Sequence, residues 1–154
     1  MGDPILGEFM ATVLDLLHRK GHQVHTISRA DRVVDAAGLM NQHGVGGLVV
    51  TDDQGRVVGM FTERDVLRRV VGQGRDPATT LVAEVMTGEI LACVPETTLE
   101  ECAAVMTAKR VRHLPVLGSG GLSGIVTIGD LLAYQVDEQR TTIQYLTSLV
   151  YENR

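Results

Sequence analysis

The sequence predicts an α+β protein built from two copies of one β-α-β-β-α unit. Three observations predict it. The heptapeptide GMFTERD at residues 59–65 returns as GIVTIGD at 124–130. The stretch VVDAAGLMNQHGVGGLVV (33–50) aligns with LEECAAVMTAKRVRHLPV (99–116) at an offset of 66, matching Ala37 to Ala103, Met40 to Met106, Val45 to Val111 and Leu48 to Leu114. The order strand, helix, strand, strand, helix also reads the same way in each copy.

In copy 1 the expected elements run as follows. Val24–Ile27 is a short strand. Val33–Asn41 is a helix, because Val33, Ala36, Ala37 and Met40 share one face at i, i+3, i+4, i+7. Leu48–Thr51 and Arg56–Phe61 are strands joined by DDQG, whose Asp and Gly suit a tight turn. Thr62–Val71 is a helix. Copy 2 is expected to repeat this with Leu91–Val94, Thr98–Lys109, Leu114–Leu117, Leu122–Val126 and Thr127–Val136. The offset falls from 66 to 65 after the loop, because TDDQGRVV is one residue longer than LGSGGLS.

The domain reading is an added leader at 1–9, an N-terminal helix at 10–20 and repeat 1 at 21–72. A linker at 73–82, repeat 2 at 83–137 and a C-terminal helix at 138–154 follow. A half of about 60 residues is marginal alone, so the halves are expected to share a core.

Composition narrows the function classes. Apolar residues make up 44% and charged residues 21%, as in a soluble globular protein. Aromatics are only 3%, so the core must be aliphatic. A net charge of −5 argues against a phosphate-backbone partner, so no nucleic acid is expected. No apolar run approaches 18 residues, so no membrane partner is expected. Cys93 and Cys102 are read as reduced, buried thiols in a cytoplasmic protein. The five histidines lack a convincing set of partner ligands, so no metal is expected. No catalytic motif is present, so no enzymatic activity is expected.

The repeated T-x-x-D pattern carries the chemistry. Thr62 and Thr127 each follow a strand and open a helix. Their plain reading is a capping box: the hydroxyl accepts from the N3 amide and the carboxylate reaches back to the N-cap amide. The same geometry can serve a ligand. A helix N-terminus suits an anion, and a carboxylate suits two donors such as ribose hydroxyls. Thr62 with Asp65, and Thr127 with Asp130, could therefore cradle a ribose phosphate. Gly59 and Gly124 would let a ligand approach the backbone. The two readings are compatible.

The copies differ beside this motif. Copy 2 reads KRVRHLP where copy 1 reads HGVGGLV. Lys109, Arg110, Arg112 and His113 are either a solvated charge run or donors for phosphate. Strand alternation opposes the side chains of Arg112 and His113. Glu63 sets a second carboxylate beside Asp65. The Asp130 site is therefore expected to favour phosphate more than the Asp65 site.

These doubled motifs resemble a cystathionine-β-synthase (CBS) domain pair, or Bateman module, over about residues 20–137. The resemblance implies tandem CBS domains related by a pseudo-twofold, with small sheets packed together and helices outside. It implies an adenosine-containing ligand, AMP, ADP or ATP, with S-adenosylmethionine or NAD(H) as alternatives and no required cofactor. It places Asp65 and Asp130 on ribose, Thr62 and Thr127 on phosphate or ribose, and Arg112 and His113 near phosphate. It further implies that Lys20, Gln23 and His25 face Asp130, that Thr87 and Leu91 face Asp65, and that Val45 and Val111 pack on adenine. The implied partners are a second copy, as a homodimer, and an unknown downstream protein. A purely structural dimerisation module remains the competing reading.

Overall fold

The computed structural model describes residues 10–152; the expected leader at 1–9 lies outside them. The chain divides into two units. One comprises Gln23–Ala92 with Pro115–Ile125. The other comprises, among the described residues, 10–22, Cys93–Leu114 and 126–152.

The unit containing copy 1 is built on a three-stranded sheet. Strands β1 (Thr26–Ser28) and β2 (Gly47–Thr51) pair in parallel, with Ile27 opposite Val50. Strand β3 (Val57–Thr62) runs antiparallel to β2, with Leu48 opposite Phe61. The β2–β3 turn is fixed by Asp52, whose Oδ1 accepts from the amides of Gln54 and Arg56, and by Gly55 at φ +76°. Helix α2 (Val33–His43) buries Val33, Ala36 and Met40 and stops at Gly44 in the left-handed region. The core joins these residues to Ile27, Leu48, Val50, Phe61, Val70, Val82 and Val85. Burying one such aliphatic side chain stabilises by about 1.5–3 kcal/mol.

After β3 the helical segment α3 opens as an α-turn at Glu63–Asp65, runs as a π-helix at Val66–Val70 and closes as a 3-10 turn at Val71–Gln73. Gly74, at φ +66°, ends it. A short helix, α4 (Val82–Val85), follows within the expected linker and repeat boundary. It buries both valines, and Leu81 pairs with Arg32 in an isolated antiparallel bridge.

The other unit repeats that arrangement. Helix α1 (Val13–Lys20) starts at a Thr12–Asp15 capping box and buries Val13, Leu16 and Leu17. Thr12 bridges Thr98 as Leu81 bridges Arg32. Helix α5 (Leu99–Lys109) is capped by Thr98, whose Oγ1 accepts from Glu101 N at 3.1 Å. Cys102 and Met106 are its buried residues, and Cys93 is buried too. So α1, expected as a leftover terminal helix, is the counterpart of α4. Strands β4 (His113–Gly118) and β5 (Gly121–Thr127) form a two-stranded sheet, of which Pro115–Ile125 is assigned to the unit of copy 1 and the remaining ends to this one.

Two expected elements are corrected. Leu91–Val94 is not a strand; only Cys93 makes an isolated bridge. Val94 spends its backbone locally: its amide donates to Thr97 Oγ1 and its carbonyl accepts from Thr97 N, around Pro95. The expected helix Thr127–Val136 and the expected C-terminal helix at 138–154 form one helix, α6 (Ile128–Glu152). Copy 1 stops at glycines 72 and 74, where copy 2 has Asp137 and Gln139. Thr141 and Thr142 remain helical, their hydroxyls donating to the carbonyls of Asp137 and Glu138 at 3.0 Å each.

Candidate functional site

Both T-x-x-D motifs sit at the start of a helix, and both are capping boxes. Thr62 N donates to Asp65 Oδ2 at 3.0 Å. Thr127 N donates to Asp130 Oδ2 at 2.9 Å, and Asp130 N donates to Thr127 Oγ1 at 3.1 Å. The plain reading therefore holds in each copy. What separates the copies is what remains of each carboxylate.

Asp65 is only 4% exposed. Its Oδ2 is taken by Thr62. Its Oδ1 accepts from Thr87 Oγ1 at 3.1 Å and lies 3.7 Å from Arg69 Nε. The Arg69 guanidinium also donates to Met86 O at 2.8 Å, beyond the C-terminal end of α4. This acid is a structural hub with both oxygens engaged. Arg69 was missed in the sequence, although its i, i+4 spacing from Asp65 on an expected helix is a readable signal.

The glycine beside it has a different role from the one expected. A Cβ on Gly59 would lie 2.5 Å from Thr87 O, because Thr87 pairs with Met60 as an added edge of the sheet. Gly59 makes room for the protein's own backbone rather than for a ligand. At Gly46, a Cβ would meet Glu63 Oε1 at 3.2 Å. A carboxylate thus lies against the glycine that corresponds to Arg112.

Asp130 is more open, with 24% of its side chain exposed. Its Oδ2 receives Thr127 N and the ammonium of Lys20, the last residue of α1. Its Oδ1 accepts no hydrogen bond among the described residues. Arg112 is exposed, and its carbonyl accepts from Ile128 N at 3.1 Å, which fixes it at the start of α6. In copy 1 the same bond runs from Glu63 N to Gly46 O at 3.0 Å. His113 follows, half-buried, as the first residue of β4. Val111 is half-buried, its amide bonded to Met106 O. Lys20, Val111, Arg112, His113, Thr127 and Asp130 all belong to one unit.

This arrangement combines one partly open carboxylate oxygen, one ammonium, one exposed guanidinium and the positive end of a 25-residue helix. It can accept from hydroxyl donors and attract an anion.

A CBS-domain family model matches residues 10–72 and again 82–137. The chain belongs to the CBS-domain family. Its two repeats are tandem CBS domains, the fold expected from the doubled motif. A CBS-domain protein of Bacillus subtilis, YhcV, is 37% identical over 131 residues, covering 85% of this chain and 91% of that one. A putative signal-transduction protein with CBS domains from Burkholderia ambifaria superposes with a TM-score of 0.80 at 39% identity, covering 84% and 96%. A hexameric CBS-CP12 protein from bloom-forming cyanobacteria superposes with a TM-score of 0.71 at 30% identity, covering 80% and 67%.

The remaining expected residues of this CBS pair lie in the unit of Asp65. Thr87 meets Asp65 as described. Val45 is half-buried against that unit's core. Gln23 is exposed and Leu91 half-buried. The His25 ring stacks on His43 with centroids 3.8 Å apart. Burial, and then the neighbouring His43, hold its pKa below the usual histidine value. That stack has no signal in the sequence, since the two residues lie on different elements. Among the described residues, no helix is long and apolar enough to cross a membrane, and no three potential ligands gather for a metal.

Proposed function

We propose that this CBS-domain protein is a regulatory module that binds an adenosine nucleotide, AMP foremost, at the Asp130 site and performs no catalysis of its own. One observation carries the reading. Two equivalent acids have opposite surroundings: Asp65 is buried with both oxygens engaged, while Asp130 is partly open and paired with Lys20. In this reading Asp130 Oδ1 accepts from a ribose hydroxyl. Lys20, Arg112 and the first turn of α6 attract the phosphate, with His113 as a further donor. Val111 backs the adenine. The preference for adenosine rests on the family resemblance.

The T-x-x-D of copy 1 then acts as a structural cap, and Glu63 beside Gly46 repels phosphate there. The protein works in the cytoplasm, which suits Cys93 and Cys102 standing without a disulfide, and signals as a homodimer to another protein.

Thermal unfolding with AMP, ATP, S-adenosylmethionine and NADH tests the reading. Ligand at 100 times its dissociation constant adds about 2.7 kcal/mol. A shift with AMP that is lost in Arg112→Ala supports it. No shift with any of the four would leave the purely structural reading in its place.

A further inference from the structure

The chain contains two cysteines, and they meet. Cys93 is 7% exposed and Cys102 1%. Both belong to the unit of copy 2, and the Cys93 thiol donates to the Cys102 sulfur. The chain between them folds back tightly. Val94 N donates to Thr97 Oγ1, Thr97 N donates to Val94 O, and Thr98 caps α5. That turn returns the helix start, with Cys102, to Cys93.

Packing alone does not call for thiols here. At the repeat offset of 66, Cys93 corresponds to Ile27 and Cys102 to Ala36. Those two residues are buried together in the core of copy 1. An aliphatic pair fills the place in one copy, and two thiols fill it in the other. Reactivity, rather than volume, is what the thiols add.

We infer that Cys93 and Cys102 are a redox pair that closes a disulfide inside the folded protein when a peroxide oxidises it. Their burial suits an oxidant close to water in size. The Cys102 sulfur takes an oxygen from hydrogen peroxide: the O–O bond breaks, an S–O bond forms and one water leaves. The Cys93 sulfur attacks this sulfenic acid, the S–S bond forms and a second water leaves. Two thiols and one peroxide thus give one disulfide and two waters, each sulfur losing one electron. The contact between the thiols sets these roles. Their hydrogen bond, and then burial, pushes the Cys93 thiol up, while the same bond pulls Cys102 down. The sulfur with more thiolate character reacts first.

The closed ring, residues 93–102, is the seat of α1. Thr97 O accepts from Val13 N at 2.8 Å, and Pro95 O accepts from Leu14 N at 3.0 Å. Oxidation therefore stiffens the segment on which α1 begins. The inference is independent of the nucleotide reading.

Peptide mapping of the full chain after hydrogen peroxide at neutral pH, without denaturant, tests the pair. Amide hydrogen exchange then tests the seat. The control is Cys93→Ile with Cys102→Ala, the residues that copy 1 carries. Wild type is expected to yield a linked Cys93–Cys102 peptide that dithiothreitol separates. Its Val13 and Leu14 amides are expected to exchange at least about tenfold more slowly once linked. The same peroxide treatment should leave these amides unchanged in the double variant, which separates the link from methionine oxidation. A linked peptide that forms only in urea would overturn the pair, as would sulfinic or sulfonic acid in place of the link. A linked protein whose Val13 and Leu14 amides exchange as before would overturn the stiffening of α1's seat.

Discussion

Lys20 and Thr87 occupy corresponding positions, each followed by glycine, and each bonds the acid of its own unit. The Lys20 ammonium pairs with Asp130, and the Thr87 hydroxyl donates to Asp65 at 3.1 Å. An ammonium in one copy and a hydroxyl in the other thus meet the equivalent acid, and in the closed site the opposite charge comes from Arg69 instead.

That difference predicts unequal costs on removing the acids. Asp65→Ala strips acceptors from the Thr62 amide, the Thr87 hydroxyl and Arg69 in a buried setting. It is expected to cost about 2–3 kcal/mol. Asp130→Ala loses chiefly a helix cap and should cost about 1 kcal/mol. Urea unfolding measures both; equal losses would contradict the closed-hub description of Asp65.

Gly59→Ala forces a methyl to 2.5 Å from the Thr87 carbonyl. Backbone must move, and the expected loss is about 1–3 kcal/mol. Gly38→Ala, in α2 with nothing within 4 Å of the new methyl, should instead stabilise by about 0.4–1 kcal/mol. The same unfolding assay reads both signs.

Arg110 ends α5 at φ +54°, the position that Gly44 fills in copy 1. Among the described residues it is the only non-glycine at positive φ. Arg110→Gly should relieve about 1 kcal/mol of backbone strain and raise Tm by about 2–4 °C. A lower Tm would mean that the side chain contributes more than the strain removes.

The His25–His43 stack predicts a pH dependence. His25 binds its proton less readily in the fold than in the unfolded chain. The unfolded state therefore takes up more protons as pH falls below about 6.5. Stability is full above that value and declines below it. Unfolding midpoints from pH 8 to pH 5 should show this decline, and His25→Asn should flatten it. An identical slope in the variant would exclude the stack as its cause.

The sequence was most legible where structure is local. The T-x-x-D caps and the face of α2 depend on spacings of three and four, which hold wherever a helix forms. Legibility failed where partners are distant or segments short. Helix α4 spans only four residues, so its two valines show no period. The tie between Lys20 and Asp130 joins residues 110 apart and was reached through family resemblance. Gly59 could be seen to require a close approach, but not that Thr87 makes it. The unbroken α6 was obscured by Thr141 and Thr142, whose low helix propensity is offset by bonds to their own helix.

Calorimetric titration of AMP into wild type, Asp130→Ala and Asp65→Asn tests the central claim most directly. Saturable binding to wild type, weakened at least about tenfold by Asp130→Ala and nearly unchanged in Asp65→Asn, is the predicted result; tenfold corresponds to about 1.4 kcal/mol. Binding that survives Asp130→Ala intact but disappears in a folded Asp65→Asn protein would contradict it.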